Sequence, residues 1–292
     1  LESSLYLGLA LLIFGLQLLA VSAAFQLKTP DNLHFRSTFA QLSLITLLAV
    51  FVLLISGTLV SVTGATPYCD GWPLCDPQGG LGWLNLGHRA VVAVTSILVA
   101  FMLVRAWQTQ RSQPAILVAA TTTAVLLIAQ ALMGAVDVAQ NFPPHLLALH
   151  LAASTAVFAT ATLSAVLSGL ANRATENEQI ERAEWRTRSV KGMAKDMLLL
   201  TKPIVVLLLL VTTYAGMVIG AQAWPSLSLT FWTLLGGFMA AGGSGAINQY
   251  IDRKDDVRMQ RTQKRPIPSG RLTPAEGLAF GVALSLGSFF IM

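Results

Sequence analysis

FAQLSLITLLAVFVLLISGTLVSVT, residues 39–63, runs for 25 residues without a lysine, arginine, aspartate or glutamate. At 1.5 Å per residue it spans the ~30 Å hydrocarbon layer as a helix and is far too long for a strand. Working outward from it, seven more apolar runs recur at about 5–26, 86–107, 115–138, 146–170, 197–220, 229–250 and 276–292. The fold class is therefore all-α, a polytopic membrane protein with about eight transmembrane helices. Across 292 residues, 54% are hydrophobic and 11% charged, against about a quarter charged in a soluble domain. That balance excludes a disordered chain, and it excludes a nucleic-acid partner despite the net charge of +5. Membrane lipid is the expected surrounding.

The basic residues divide by loop. Lys28 and Arg36 follow the first run, Arg105 and Arg111 the third, Arg173 to Lys195 the fifth and Arg253 to Arg271 the seventh. The connections around Cys69 to Cys75, Asn141 to His145 and Ala223 to Ser228 carry no lysine or arginine. The positive-inside rule places the first set in the cytoplasm and the Cys69–Cys75 loop outside; a plasma (cell inner) membrane is the expected location. Ala171 to Asp196 holds six basic and five acidic residues between two apolar runs and reads as a cytoplasmic linker. Thr175 with Glu178 fits a capping box, and Glu178–Arg182 and Glu184–Arg188 fall at i,i+4, so a short solvated helix is expected there, with tethering as the plain reading. The last run starts at a second capping box, Thr273-Pro-Ala-Glu276. The expected divisions are 1–38 (an extra helix and loop), 39–170, 171–196 and 197–292. With Leu1 in first place, sequence missing upstream is expected.

Two of the four histidines lie in apolar runs: His88 early in the third and His150 early in the fifth. Both helices run inward by the charge rule, so the imidazoles share a depth near the outer face. Ionisable groups inside a membrane are costly and usually functional, and one histidine from each of two helices suits bis-axial ligation of a haem iron. The plainer alternative is hydrogen bonding within the bundle. His145 and His34 are expected in solvent, and Arg89 meets either a haem propionate or the membrane interface. Cys69 and Cys75 flank a turn in an outward, oxidising loop and read as a disulfide, with a redox role as the weaker alternative.

With those residues in view, 39–170 resembles one four-helix half of the heme A synthase family. The likeness lies in Gly57-Thr-Leu-Val-Ser-Val-Thr-Gly64 before the cysteine loop, Gly87-His88-Arg89, and Ala148-Leu149-His150. In that family two such bundles each carry a histidine pair, one holding a haem b cofactor and the other the substrate heme O. The resemblance implies His88 and His150 as axial ligands of haem b. The family's substrate half has a glutamate three residues before its first histidine; Asn85 stands there instead, which favours the cofactor half. Helix one would then close an upstream bundle; the competing arrangement is a single-bundle protein completing its sites as a homo-oligomer.

Asn248, Asp252 and Asp256 recur every four residues, so a continued helix stacks them on one face as oxygen donors to Mg²⁺ bridging phosphate. Arg261, Lys264 and Arg265 follow as diphosphate partners, and Lys202 on the neighbouring run is in reach. The alternative is a lipid-binding juxtamembrane loop. Asn248-x₃-Asp252-x₃-Asp256 followed by Met259-x-Arg261-Thr262-x-x-Arg265-Pro266 is similar to the first aspartate-rich motif of the UbiA-type intramembrane prenyltransferases. Together with Leu200-Thr201-Lys202-Pro203 it most resembles their protoheme IX farnesyltransferase (heme O synthase) branch. The resemblance implies farnesyl diphosphate and haem b as substrates, Mg²⁺ on Asp252 and Asp256, and Asn248 and Lys202 in the catalytic set. The family's second aspartate-rich motif is expected beyond Met292. Gly236 to Ala246 fits close helix packing or room for an isoprenoid tail. Heme O made by one activity feeds the other, so the expected function is heme A biosynthesis. The alternatives are a membrane b-type cytochrome and a non-enzymatic scaffold meeting oxidase assembly factors.

Overall fold

A computed structural model of the chain describes residues 2–26, 33–69, 71–140, 144–171 and 174–292. Lys28, Asp70, Asn141, Pro143 and Arg173 lie outside them. In chain order the helices are α1 (Glu2–Gln26), α2 (Thr38–Val62), α3 (Gly79–Thr109), α4 (Pro114–Ala139), α5 (Pro144–Leu170), α6 (Thr175–Thr187), α7 (Val190–Leu200), α8 (Pro203–Ala221), α9 (Leu227–Ile251), the single turn α10 (Arg253–Asp256) and α11 (Pro274–Ile291). Among the described residues there is no strand.

Six helices are long and apolar enough to cross a membrane: α2, α3, α4, α5 from Ala148, α8 and α11. The first and seventh expected spans fall short of that measure for separate reasons. In α1 the apolar stretch among the described residues is Tyr6–Ser22. The 25 residues of α9 equal α2 in length, but five glycines and several polar residues dilute its hydropathy.

α2 to α5 form an up-and-down bundle, with α1 against α2 and α5. Its core gathers Val50, Leu53, Val99, Ala124, Leu127, Val157 and Phe158. Small hydroxyls also pack inside, because in apolar surroundings each can donate back to its own helix: Thr123 Oγ1 to Ala119 O and Thr162 Oγ1 to Phe158 O, both at 2.8 Å.

The sixth expected run, 197–220, is broken in two. Lys202 takes left-handed backbone angles (φ 55°, ψ 61°) between α7 and α8, since the ring of Pro203 bars its predecessor from helical geometry. The break frees carbonyls, and Gln249 of α9, only 1% exposed, donates from Nε2 to Leu200 O at 2.9 Å. The kink comes close because α9 is glycine there. A Cβ on Gly245 would sit 3.2 Å from Leu200 O and one on Gly242 3.1 Å from the Thr201 side chain. On the opposite face a Cβ on Gly243 would lie 2.9 Å from Gly281 O of α11. The small residues of α9 thus serve close packing, the first of the two readings their composition allowed.

α11 also lies along α4, so the C-terminal helices and the bundle share an interface in which Ala275 and Ala279 join Phe39, Met102 and Leu117. The linker helix α6 fastens that junction and corrects its plain reading as a solvated tether. Glu178, 2% exposed, does not cap its own helix: Ala174 is the N-cap and makes no side-chain cap. It reaches the start of α2 instead, accepting from Thr38 Oγ1 (2.7 Å), Phe39 N (3.2 Å) and Gln110 Nε2 (3.1 Å). Glu181 accepts from Arg111 N (2.8 Å) and Ser112 Oγ (2.6 Å) at the start of α4.

The expected i,i+4 pairs give way in the same manner. Glu184 faces Arg111 at 3.6 Å, and Arg188 meets Glu276. An i,i+4 pair on an exposed helix is worth about 0.2–0.5 kcal/mol, less than a buried carboxylate gains from several donors. The capping box at Thr273 and Glu276 forms as expected, with Thr273 N donating to Glu276 Oε2 at 2.7 Å and Glu276 N to Thr273 Oγ1 at 3.2 Å. Glu276 has no exposed surface and also takes Arg111 Nε at 3.0 Å. Glu276→Ala removes one carboxylate from two arginines and a helix cap. It is expected to cost about 3 kcal/mol, read as a lowered thermal midpoint in detergent; an unchanged midpoint would show the junction to be incidental.

Candidate functional site

The chemistry sits at two opposite ends of the fold. α2 and α4 finish, and α3 and α5 begin, at one end; α9 finishes and α11 begins at the other, beside α6. Along α3, His88 and Arg105 lie about 25 Å apart at 1.5 Å per residue.

At the first end each histidine is set by its neighbour helix. Ser56 Oγ of α2 is in hydrogen-bond contact with His88 Nδ1 at 2.8 Å. A Cβ on Gly57 would stand 3.1 Å from His88 Cε1, so that glycine makes room for the ring. α4 and α5 repeat the device: a Cβ on Gly134 would stand 3.3 Å from His150 Cε1, and Asp137 Oδ2 lies 3.6 Å from His150 Nδ1. His88 Nδ1 thus meets Ser56, His150 Nδ1 lies toward Asp137 without a hydrogen bond, and neither Nε2 is hydrogen-bonded among the described residues. Two imidazoles with Nε2 open are a donor set that fits haem iron.

Asp137, 3% exposed, was not anticipated from the sequence, although the signal was present: it is the one ionisable residue inside the run 115–138. Nearby, Gln130 Nε2 donates to Ser154 Oγ, extending the polar cluster one to two turns into the bundle.

Arg89 is bound to the loop before α3. Its guanidinium donates to Cys69 O (2.8 Å), Gly71 O (2.6 Å) and Asn85 Oδ1 (3.2 Å), and Asn85 Nδ2 donates to Ala65 O at 3.2 Å. Together they clasp the loop over this end of the bundle. Cys69 and Cys75 are bridged, with Cα atoms 5.3 Å apart. His145 is exposed at the start of α5; His34 is half-buried, its amide donating to Gly169 O at 3.1 Å.

At the second end α9 stops at Ile251, but the register runs on, with Asp252 N bonded to Asn248 O and Asp256 N to Asp252 O, both at 2.9 Å. The side chains divide. Asn248 Nδ2 donates to Asp252 Oδ2 at 2.9 Å, orienting a half-buried carboxylate. Asp256 is buried and bound at both oxygens by Arg265 Nη1, at 3.0 and 2.7 Å. Asp256 and Arg265, expected at metal and diphosphate respectively, are thus paired with each other. Among the described residues no group of three or more histidine, cysteine or acidic side chains is gathered as a metal centre. One open carboxylate is still a fit for Mg²⁺, which retains water and takes its other ligands from phosphate.

Arg261 and Lys264 are exposed, and no salt bridge is formed by either among the described residues. Thr262, 1% exposed, donates to Asp256 O at 3.1 Å and closes the loop. Lys202 sits at the kink beside Gln249, next in sequence to Asn248.

The family model described as Cytochrome oxidase assembly protein matches residues 78–233, and that of the UbiA prenyltransferase family matches 209–292. Curated relatives named "Protoheme IX farnesyltransferase" include that of Roseiflexus castenholzii, 32% identical over 90% of this chain and 53% of the relative. Others are from Halobacterium salinarum, 31% identical over 82% and 58%, and Streptomyces avermitilis, 47% identical over 35% and 33%. The chain spans about half the length of the first two. With more than half of its residues under the first model, the chain belongs to the Cytochrome oxidase assembly protein family, and its C-terminal stretch matches the UbiA prenyltransferase family.

Proposed function

We propose that the chain takes part in heme A biosynthesis in the plasma membrane, transferring the farnesyl group of farnesyl diphosphate to haem b to give heme O. The observation that carries this reading is the open Asp252 carboxylate, oriented by Asn248 and followed by the unpaired Arg261 and Lys264, in a stretch matching a prenyltransferase family. The names of the relatives supply the substrates. Arg261, Lys264 and Lys202 neutralise the departing diphosphate, which leaves with the C–O bonding pair. The vinyl π electrons of haem b then bond to the allylic carbon, and water captures the product cation, releasing a proton. Asp252 would hold Mg²⁺, which would supply further charge stabilisation to the departing diphosphate. Asp256 and Arg265 keep the loop in shape by pairing with each other.

The bundle is read as holding haem b between His88 and His150 and oxidising heme O to heme A; the bound haem supplies the redox chemistry. Ser56 and Asp137 hold the two rings, while the Arg89 clasp and the Cys69–Cys75 bridge close the outward end. Loop sidedness follows the positive-inside rule, which sets the transferase mouth in the cytoplasm and the histidines near the outer face. Incubating the full-length protein with haem b, farnesyl diphosphate and Mg²⁺ tests the reading: heme O is expected. A haem Soret band without heme O would leave a b-type cytochrome, and neither would leave an assembly scaffold.

A further inference from the structure

A small polar cavity opens where α6 crosses the ends of α2 and α3. Its volume is about 160 Å³, and Thr38, Arg105, Thr175, Glu178, Gln179 and Arg182 line it. We propose that Arg105 and Arg182 form an anion site there, taking the phosphate group of either an anionic lipid headgroup or a free phosphate.

The arrangement is costly without a ligand. Two arginines from different helices face one another, and no carboxylate pairs with either among the described residues. Arg182 Nε is buried with no hydrogen-bond partner, and a buried guanidinium nitrogen left unbonded costs free energy. Arg105, with Arg186 one turn away adding to it, holds the Arg182 guanidinium below its ordinary range. Among the described residues Arg105 Nη2 reaches only Thr38 Oγ1, at 3.5 Å.

Glu178 is the acid in the lining, and it does not answer the charge. Both its oxygens accept from Thr38, Phe39 and Gln110. A bound oxyanion would satisfy the Nε donor, remove the repulsion and use the fork geometry of guanidinium. Depth fits a headgroup as well as free phosphate: Arg105 is in the last turns of a membrane-spanning helix, with the Phe101 ring 6.0 Å from its guanidinium carbon on the apolar side. Basic pockets between helices at this level are where phosphate headgroups dock. The site is distinct from the Asn248–Arg265 loop and does not depend on the transferase reading.

Thermal unfolding of the full-length protein, wild type against Arg105→Gln and Arg182→Gln, tests this. Inorganic phosphate in detergent, at ionic strength matched with chloride, should raise the wild-type midpoint by mass action. Each variant should need about tenfold more phosphate, or fail to respond. Without phosphate the variants should melt at or above the wild-type midpoint, because a repulsion has been removed. In a parallel arm, nanodiscs of phosphatidylglycerol are compared with phosphatidylcholine. A wild-type-specific gain in phosphatidylglycerol that added phosphate does not increase assigns the site to lipid; a gain from phosphate in both lipids assigns it to free phosphate. If neither anion raises the wild type, or both raise all three proteins equally, the site does not exist. Variants that melt lower without phosphate would show the arginines to be structural donors, which also overturns it.

Discussion

Asp252→Asn is expected to abolish heme O formation by the full-length protein while its haem absorbance and thermal midpoint stay as in the wild type. Asp252 is half-buried and accepts one hydrogen bond, from Asn248. It is in no salt bridge among the described residues, so an isosteric amide leaves the fold little changed. What the amide lacks is the negative charge that, on the proposed reading, draws a Mg²⁺–diphosphate to the loop. Loss of one such electrostatic contribution lowers turnover by about a hundredfold or more.

Asp256→Asn is the informative contrast. It breaks the pairing with Arg265, frees that arginine and should lower the midpoint as well as the rate. Chromatographic measurement of heme O settles the first case: turnover within tenfold of wild type would remove Asp252 from the machinery.

His150→Ala is expected to do the reverse, losing the six-coordinate haem spectrum while heme O formation persists. The bundle seats each ring against a glycine, with Ser56 hydrogen-bonded to His88 and Asp137 3.6 Å from His150. On the proposed ligation, removing His150 would leave a single axial nitrogen and a cavity beside Gly134. Asp137→Ala keeps both ligands yet frees the His150 ring to rotate. Losses of about ten- to a hundredfold in haem affinity are usual for such an outer partner. Soret absorbance per mole of protein, with circular dichroism as a check on helix content, reads both variants. Full haem loading in His150→Ala would rule out ligation by that residue.

The helices were legible because lipid demands long apolar runs with their hydrogen bonds made internally, a rule that leaves a plain trace in a sequence. The Thr273–Glu276 cap was legible because it is local. What escaped depends on residues far apart in the chain. The charges of 175–188 suggested neighbours on one helix, whereas Glu178 finds Thr38 and Phe39, and Arg188 finds Glu276. At the metal motif, spacing gave the register of Asn248, Asp252 and Asp256, but Arg265 competes for the last of them, and a four-residue repeat carries no sign of that. The break at Lys202 was written in Pro203 and hidden by the apolar residues on both sides.

The carboxylate at the root of α11 has a consequence for how such a polypeptide is inherited. Glu276 answers arginines from the bundle and from the linker at once, so neither half carries a balanced set of charges alone. Were the reading frame split into two genes, each product would emerge with an orphaned surface. New residues would have to appear on both sides before the separated proteins matched the joined one in durability.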